Sequence, residues 1–101
     1  MARGYWVAHV DINDVETYRK YVEGNGPAFA KFGGRFLVRA GRYEVVEGTT
    51  RERNVVVEFP SYEAARACWH SPEYQAVLKY RTASSIADLV IFEGYEGEQP
   101  A

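Results

Sequence analysis

Two side chains of this sequence could carry out acid–base chemistry together: His9 and Glu58. A carboxylate beside an imidazole orients the ring and raises its basicity, which suits a general base. When the segments around His9 and Glu58 are laid over each other as strands, these two residues fall side by side on one sheet face. We therefore predict a catalytic pair, with a structural hydrogen-bonded pair as the alternative. His9, Asp11 and Glu58 could also hold a divalent metal, but this spacing is a weak signal, and no metal is predicted.

Arginines and aromatic rings form a second candidate group, since arginine forks bind carboxylates and phosphates and rings bind flat molecules. Arginines are concentrated in the middle of the chain, where the interleaved Glu44, Glu47 and Glu52 favour a solvated, charge-balanced surface. Arg39 is the exception, because strand alternation places it on the opposite face from Val38. We expect most aromatic rings to be core, with a remaining cavity between helices and sheet for a flat or apolar small molecule.

Cys68 is the single cysteine, so an internal disulfide and a cysteine-based zinc site are excluded. We predict a small buried side chain there, with a nucleophile as the alternative. His70 lies at a helix break and is predicted to be exposed or to cap a helix. The sequence contains no glycine-rich phosphate loop, nucleophile elbow or dinucleotide fingerprint. We therefore predict no cofactor.

The length of 101 residues predicts a single domain over residues 1–95 with a flexible C-terminal tail over residues 96–101. Hydrophobic residues at 47% and charged residues at 26% are typical of a globular protein, and the net charge of −2 argues against a nucleic-acid partner. No apolar stretch approaches the roughly 20 residues that cross a bilayer, and the start lacks a signal-peptide pattern. With a free thiol, these features predict a cytoplasmic protein without a membrane partner.

Hydrophobic periodicity predicts the elements that position these residues. The predicted strands cover residues 4–12, 35–40 resumed at 43–47, 54–59 and 86–93. A helix is predicted to start at Asn13, with Glu16 completing a capping box, to bend at residues 24–27 and to end at residues 33–34. A second helical region follows Ser61 and divides at residues 70–71.

The order strand, helix, strand, strand, helix, strand predicts an α+β fold of the ferredoxin-like βαββαβ type, with an antiparallel sheet that carries two helices on one face. The first and third strands are expected to form the central pair and to run parallel. In the second strand, Phe36 and Val38 are expected to share a face, with Leu37 on the other.

Apolar residues occupy both faces of the predicted sheet, although its own helices can cover only one. In the third strand, Val55 and Val57 face one way and Val56 the other. A one-sided antiparallel sheet shows apolar-in, polar-out alternation instead, and large exposed apolar patches are rare on monomers. Burying about 500 Å² per copy would contribute on the order of 10 kcal/mol before association costs. We therefore predict a homodimer whose uncovered faces pack together.

Segments along nearly the whole chain resemble a small, mostly bacterial family of unknown function. They are GYWVAHV at residues 4–10, AFAKFGGRFLVR at 28–39, EFPS at 58–61, WHSPEYQ at 69–75 and DLV at 88–90. This family is part of the dimeric α+β barrel superfamily, so the resemblance implies a ferredoxin-like subunit and a homodimer whose two sheets form a barrel.

The superfamily also implies a place for a ligand. It includes cofactor-free monooxygenases, muconolactone isomerases and dye-decolourising haem enzymes. In the monooxygenases a Trp and a Tyr on the second helix, with nearby Asn and Arg, line the substrate cavity. Trp69, Tyr74 and Arg81 are similar in type and placement, whereas no matching Asn and no haem-ligating His is evident.

Together these features predict a protein that binds, and could transform, a small partly aromatic molecule between sheet and helices. The predicted ligand-binding residues are Tyr18, Arg39, Trp69, Tyr74 and Arg81. His9 and Glu58 would supply proton transfer or polar anchoring. The alternatives are a non-catalytic dimerisation or ligand-sensing module and a cofactor-free monooxygenase-like enzyme.

Overall fold

The computed structural model describes residues 2–100, and these form a four-stranded antiparallel sheet with helices packed on one face. The strands are β1 (Gly4–Ile12), β2 (Arg35–Arg39), β3 (Arg53–Phe59) and β4 (Ser85–Glu93), in the spatial order β2-β3-β1-β4. The helices are α1 (Val15–Gly24), α2 (Gly26–Lys31), α3 (Tyr62–His70) and α4 (Pro72–Ser84). This arrangement confirms the predicted ferredoxin-like α+β fold. Met1 and Ala101, at the ends of the predicted domain and tail, lie outside the described residues.

Strands β1 and β3 are neighbours, as predicted, but they run antiparallel and the expected parallel pair is wrong. The helices between β1 and β2 return the chain so that β2 runs with β1, and the reversal over residues 40–52 then turns β3 against both. The register pairs Tyr5 with Glu58, Val7 with Val56, and His9 with Asn54. His9 and Glu58 therefore share a face, but their register pairs lie four residues apart along the strands. The expected side-by-side placement is wrong.

Strand β2 is shorter than predicted, and the expected strand at residues 43–47 is wrong: these residues form no strand. The backbone leaves the sheet at Ala40, whose φ of 57° is in the left-handed region, and the Ala40 N–H donates a last hydrogen bond to the Asn54 carbonyl at 2.9 Å. Residues 40–50, which we call the arm, are exposed along their whole length.

A register shift at Leu37 changes which residues of β2 face the helices. Phe36 pairs with Val57, and Val38 pairs with Val56, so the two side chains point to opposite faces and the expected shared face is wrong. The extra residue in β2 is a bulge, which rotates the rest of the strand. Arg39 consequently faces the helices, opposite to Val38, as the sequence predicts.

The first helical region differs from the prediction at its start and in its middle. Asp14, and not Asn13, caps α1 and accepts hydrogen bonds from the Thr17 N–H at 3.2 Å and hydroxyl at 2.8 Å. The expected single kinked helix is two helices, separated at Asn25, with Pro27 in the first turn of α2. Proline lacks the N–H that would continue α1 and fits a first turn.

The second helical region divides where the sequence predicts. Ser61 caps α3 by accepting a hydrogen bond from the Ala64 N–H at 3.0 Å, and Ser71 caps α4 by accepting one from the Tyr74 N–H at 3.1 Å. No helix among residues 2–100 has the length and apolar character needed to span a bilayer.

Trp6 is the centre of the core between sheet and helices. It is 2% exposed, and its ring centroid lies 4.8 Å from that of Tyr74, 5.2 Å from Phe29 and 5.3 Å from Phe59. Its indole N–H donates a hydrogen bond to the Ala65 carbonyl at 2.8 Å, which ties β1 to α3. The rings meet edge-on or tilted, the arrangements that aromatic pairs favour.

The opposite sheet face, which we call the open face, is not covered by any helix of the described chain. Its apolar side chains include Val38, Ile86, Val90 and Phe92, which are between 42% and 58% exposed. Both faces of the sheet thus carry apolar groups, as the alternation predicts, and one of them remains accessible to solvent in the single chain.

Candidate functional site

A cavity lies between the sheet and helices α1, α2 and α4. It leaves about 30 Å³ for the centres of water molecules, which is enough for a small number of waters and less than an open ligand pocket. Trp6, Val10, Phe29, Phe36 and Val57 are among the apolar side chains of its walls. The polar side chains that line it within residues 2–100 are Tyr18, Tyr21, Asn25, Arg39, Arg53 and Arg81.

Two of the arginines reach the cavity from opposite walls. Arg81 extends from α4 and is 6% exposed, with its guanidinium carbon 5.6 Å from the centroid of the Tyr21 ring. Arg53, the first residue of β3, places its guanidinium carbon 5.5 Å from the centroid of Tyr18. The two tyrosine rings are themselves 5.5 Å apart. Each guanidinium therefore lies against a tyrosine ring, and the two rings contact each other.

Arg53 and Arg81 have unused hydrogen-bonding capacity inside the protein. The Nε atom of each is buried without a hydrogen-bond partner. None of the ion pairs formed within residues 2–100 includes Arg39, Arg53 or Arg81. A buried charge is normally paired or hydrogen-bonded, so this cavity is a site of uncompensated positive charge.

Arg39 occupies the rim of the cavity. Its guanidinium carbon lies 4.1 Å from the centroid of Phe36, which packs against Phe29 at a centroid distance of 5.4 Å. The Arg39 side chain is exposed. It is held by a ring contact and not by an acidic partner, so it can move without breaking an ion pair.

The tyrosines beside these arginines are neutral. The Tyr21 and Tyr74 hydroxyls share a hydrogen bond with an O–O distance of 2.8 Å. Burial raises the pKa of both phenols, and the positive charge of Arg81 opposes that rise without cancelling it. Both groups remain protonated at neutral pH, so neither supplies the negative charge that the arginines lack.

The structure brings together Tyr18, Arg39 and Arg81 of the predicted ligand-binding residues. Tyr74 lies behind the cavity wall, where it is fully buried and bonds to Tyr21. Trp69 lies elsewhere, in a groove of about 390 Å³ along α4 and β4 that also contacts Arg81. Arg81 thus lies between the cavity and this groove.

Sequence reasoning missed Tyr21, Asn25 and Arg53 as cavity residues. The signal for Arg53 was present, because period-two alternation places it on the same face as Val55 and Val57. Asn25 could not be predicted from spacing, since it faces the cavity only because the chain breaks between α1 and α2.

His9 lies on the open face, away from the cavity. Its Nδ1 is 2.5 Å from the Asn54 Oδ1, an oxygen that also accepts a hydrogen bond from the Thr50 hydroxyl at 3.0 Å. With Nδ1–H donating to Asn54, the Nε2 atom of a neutral His9 is left as an acceptor. The imidazole is therefore oriented by an amide and not by a carboxylate.

Glu58 also lies on the open face and is fully engaged by other partners. It accepts hydrogen bonds from Arg35 Nε at 2.9 Å and the Tyr5 hydroxyl at 3.3 Å, and Arg3 lies 3.9 Å away. The Arg35 hydrogen bond is the main reason that the pKa of Glu58 is below its ordinary value. A carboxylate that is held ionised in this way is a weak base and a stable ion-pair partner.

The Glu58→Gln variant is expected to lose stability in a pH-dependent manner. Because the folded-state pKa lies below the ordinary 4.5, the contribution of the carboxylate is complete above that pH and is lost as the pH falls through the lowered value. Urea unfolding should therefore show the wild type more stable than Glu58→Gln at neutral pH, with the difference shrinking in acid. The exposed tail variant Glu98→Gln serves as the control, and an equal difference at both pH values would contradict the prediction.

Asp11 is likewise occupied, because each of its carboxylate oxygens already accepts a hydrogen bond. Its carboxylate accepts hydrogen bonds from the Glu52 N–H at 3.0 Å and from Arg51 Nη1 at 2.8 Å, which hold its pKa below the ordinary value. Arg51 also bonds Asp88 at 2.8 Å. Within residues 2–100, no group of three or more His, Cys, Asp and Glu side chains is close enough to hold a metal ion.

Cys68 is fully buried between α3 and the core, in agreement with the predicted buried side chain. Burial raises the pKa of its thiol to about 12. Since the thiolate is the reactive form, we expect the native protein to react with a thiol reagent at about pH 8 about 1000-fold more slowly than the unfolded chain. Stopped-flow colorimetry with and without urea checks this on the single cysteine, and similar rates in both states would contradict it.

The comparison with known families identifies the chain. A domain of unknown function, DUF1330, matches residues 3–95. The protein belongs to the DUF1330 family. No curated protein matches this DUF1330 chain.

Solved structures show that the DUF1330 protein shares its fold with monooxygenase-type proteins. A protein of unknown function from Rhodopseudomonas palustris aligns with a TM-score of 0.76 and 18% identity over 95% of this chain and 85% of its own. SnoaB, a cofactor-independent oxygenase from Streptomyces nogalater, aligns with a TM-score of 0.63 and 13% identity over 96% and 97%. At these identities the likeness concerns the fold alone.

Proposed function

We propose that this DUF1330 protein binds a small, partly aromatic molecule in the cavity between its sheet and helices. The observation that carries the proposal is the lining, which combines apolar walls with arginines that have no acidic partner within the described chain. Ligand pockets are mostly apolar with a few convergent polar groups. Tyr18, Arg39 and Arg81 are the proposed binding residues that line the cavity, and Trp69 would contact the part of a ligand that extends into the neighbouring groove.

Binding requires the cavity to open, because its free space of about 30 Å³ is too small for an aromatic ring. Arg39 is the side chain that can move at low cost, since it is exposed and stacks on Phe36 without an ion pair. A ring that replaces this guanidinium against Phe36 would keep the aromatic contact and enter the space behind it. We therefore place the entrance at the β2 side of the cavity.

The test is the binding of aromatic fragments, observed by protein NMR, to the wild type and to a variant in which a larger side chain fills the cavity. Ala8 lines the cavity, and Ala8→Leu places additional carbon atoms into it, whereas Ala67→Leu makes the same change on the exposed side of α3. We expect fragments to shift the cavity resonances of the wild type and of Ala67→Leu but not those of Ala8→Leu. Binding that persists in Ala8→Leu, or the absence of any fragment binding to the wild type, would overturn the proposal.

We propose that the protein acts as a homodimer whose open faces pack together. Supporting this, Val90 and Phe92 are 50% and 48% exposed in the single chain, next to Val38 and Ile86 on the same face. The arm adds Tyr43, Val45 and Val46, which are also exposed in the single chain. A free thiol at Cys68 favours a cytoplasmic location for this dimer.

A cofactor-free oxygenase activity is the second candidate, and the fold shared with SnoaB favours it. The proposed proton-transfer roles of His9 and Glu58 would then belong to the open face, because both lie across the sheet from the cavity. Oxygen uptake and the mass of the bound molecule separate the candidates. Oxygen consumption with a change in ligand mass supports an enzyme, whereas unchanged oxygen and ligand support a ligand-sensing or dimerisation module.

A further inference from the structure

We propose that the molecule bound in the cavity is an aromatic carboxylic acid, whose carboxylate lies between Arg53 and Arg81. This inference rests on the proposed function and deepens it by naming the chemical class of the ligand. Arg81 is 6% exposed and lines the cavity, and its Nε is buried without a partner. Arg53 lines the same cavity from the sheet, and its Nε is likewise buried without a partner among residues 2–100.

Charge balance is the first argument. No acidic side chain within residues 2–100 lines the cavity, whereas Arg39, Arg53 and Arg81 do. The phenols of Tyr21 and Tyr74 stay neutral because burial raises the pKa of both. Among the other arginines of the described chain, Arg35 pairs with Glu58 and Arg51 with Asp11 and Asp88. A bound anion would supply the counter-charge that the buried parts of Arg53 and Arg81 lack within residues 2–100.

The geometry around the arginines selects a planar anion. Arg53 and Arg81 each lie over a tyrosine ring, at 5.5 Å from Tyr18 and 5.6 Å from Tyr21. Such contacts restrict the guanidinium planes and leave their edges as donors. A carboxylate accepts parallel hydrogen bonds from the edge of a guanidinium, and the flat shape of a benzoate-like acid suits a narrow space.

The apolar walls account for the rest of the ligand. Besides the arginines, the cavity is lined by Trp6, Phe29, Phe36 and Leu89. These side chains offer ring faces and aliphatic carbon but no further charge. An inorganic anion would leave this surface unused. An aromatic acid satisfies both parts at once, with the carboxylate on the guanidinium groups and the ring on the apolar wall.

The experiment compares benzoate with benzyl alcohol, a neutral molecule of nearly the same size, at constant ionic strength by NMR titration. We expect benzoate to bind the wild type at least about 10-fold more tightly than the alcohol. Arg81→Met and Arg53→Met should each remove most of that preference, which is measured as the ratio of the two affinities within each variant. Arg66→Met, on the exposed side of α3, is the matched control and should keep the preference.

The outcomes separate this inference from the proposed function. Equal affinity for acid and alcohol would overturn the aromatic-acid ligand and leave cavity binding standing. If neutral fragments bind and benzoate does not, the aromatic-acid ligand is likewise overturned and cavity binding still stands. A preference that survives both Arg53→Met and Arg81→Met, or is lost in Arg66→Met, would also overturn it. If Arg81→Met does not fold, Arg81→Lys keeps the charge and should retain part of the preference, while Arg53→Met tests the opposite wall.

Discussion

Trp6→Ala is expected to lower the free energy of unfolding by about 3–5 kcal/mol, the range for removing a fully buried large aromatic side chain. Trp6 is 2% exposed and contacts rings from α2, β3 and α4, so its loss opens a cavity that no single neighbour can fill. The variant also leaves the Ala65 carbonyl without the indole N–H that it accepts from. Urea unfolding followed by circular dichroism measures the change.

Trp69→Ala is the matched control, because this second tryptophan is only partly buried and lies beside a groove. Its ring contacts Trp6 at a centroid distance of 5.9 Å and Tyr74 at 5.4 Å. We expect a clearly smaller loss of stability. Equal losses in the two variants would show that Trp6 is not the centre of the core.

The fold could be predicted because local signals determined the type and order of the elements. Alternation at β1 and the capping serines at α3 and α4 depend on neighbouring residues alone. Strand direction is different, because it depends on how often the chain reverses between β1 and β3. The repeat between these strands indicates that they are neighbours. It does not give their relative direction, because a parallel pair and an antiparallel pair would show the same alternation of residue types.

The arm shows a second limit of periodicity. Residues 43–47 contain Tyr43, Val45 and Val46, which favour strands. A strand also needs a partner, and the left-handed Ala40 directs these residues away from the sheet edge. Their β propensity is therefore unused within the single chain.

The cavity could be predicted in outline but not in its charge. Tyr18 and Arg39 follow from spacing on a helix or strand, and Arg81 follows from the resemblance to the monooxygenases. Arg53, in contrast, lay within a run of alternating charges that resembled a solvated surface. Only the structure separates the arginines of that run. Arg51 forms ion pairs with Asp11 and Asp88. Arg53, two residues later, has no acidic partner within residues 2–100 and lines the cavity.

Val90→Asp is expected to dissociate the proposed dimer while leaving the fold of each chain intact. Val90 is 50% exposed and pairs with Val7 in the middle of the open face. In the single chain an aspartate there remains hydrated, so the cost is small. In the dimer it would be a buried, unpaired charge, which costs about 3 kcal/mol or more and raises the dissociation constant at least about 100-fold.

The measurement is sedimentation velocity over a range of protein concentrations, with circular dichroism to verify the fold. Val15→Asp is the control, because Val15 is 64% exposed at the start of α1, on the side of the molecule that carries the helices. It introduces the same charge and should leave the dimer intact. A wild type that sediments as a monomer of 11.5 kDa at micromolar concentration would contradict the dimer. Dissociation by Val15→Asp instead of Val90→Asp would place the interface on the helices, and the apolar open face would then need a different partner.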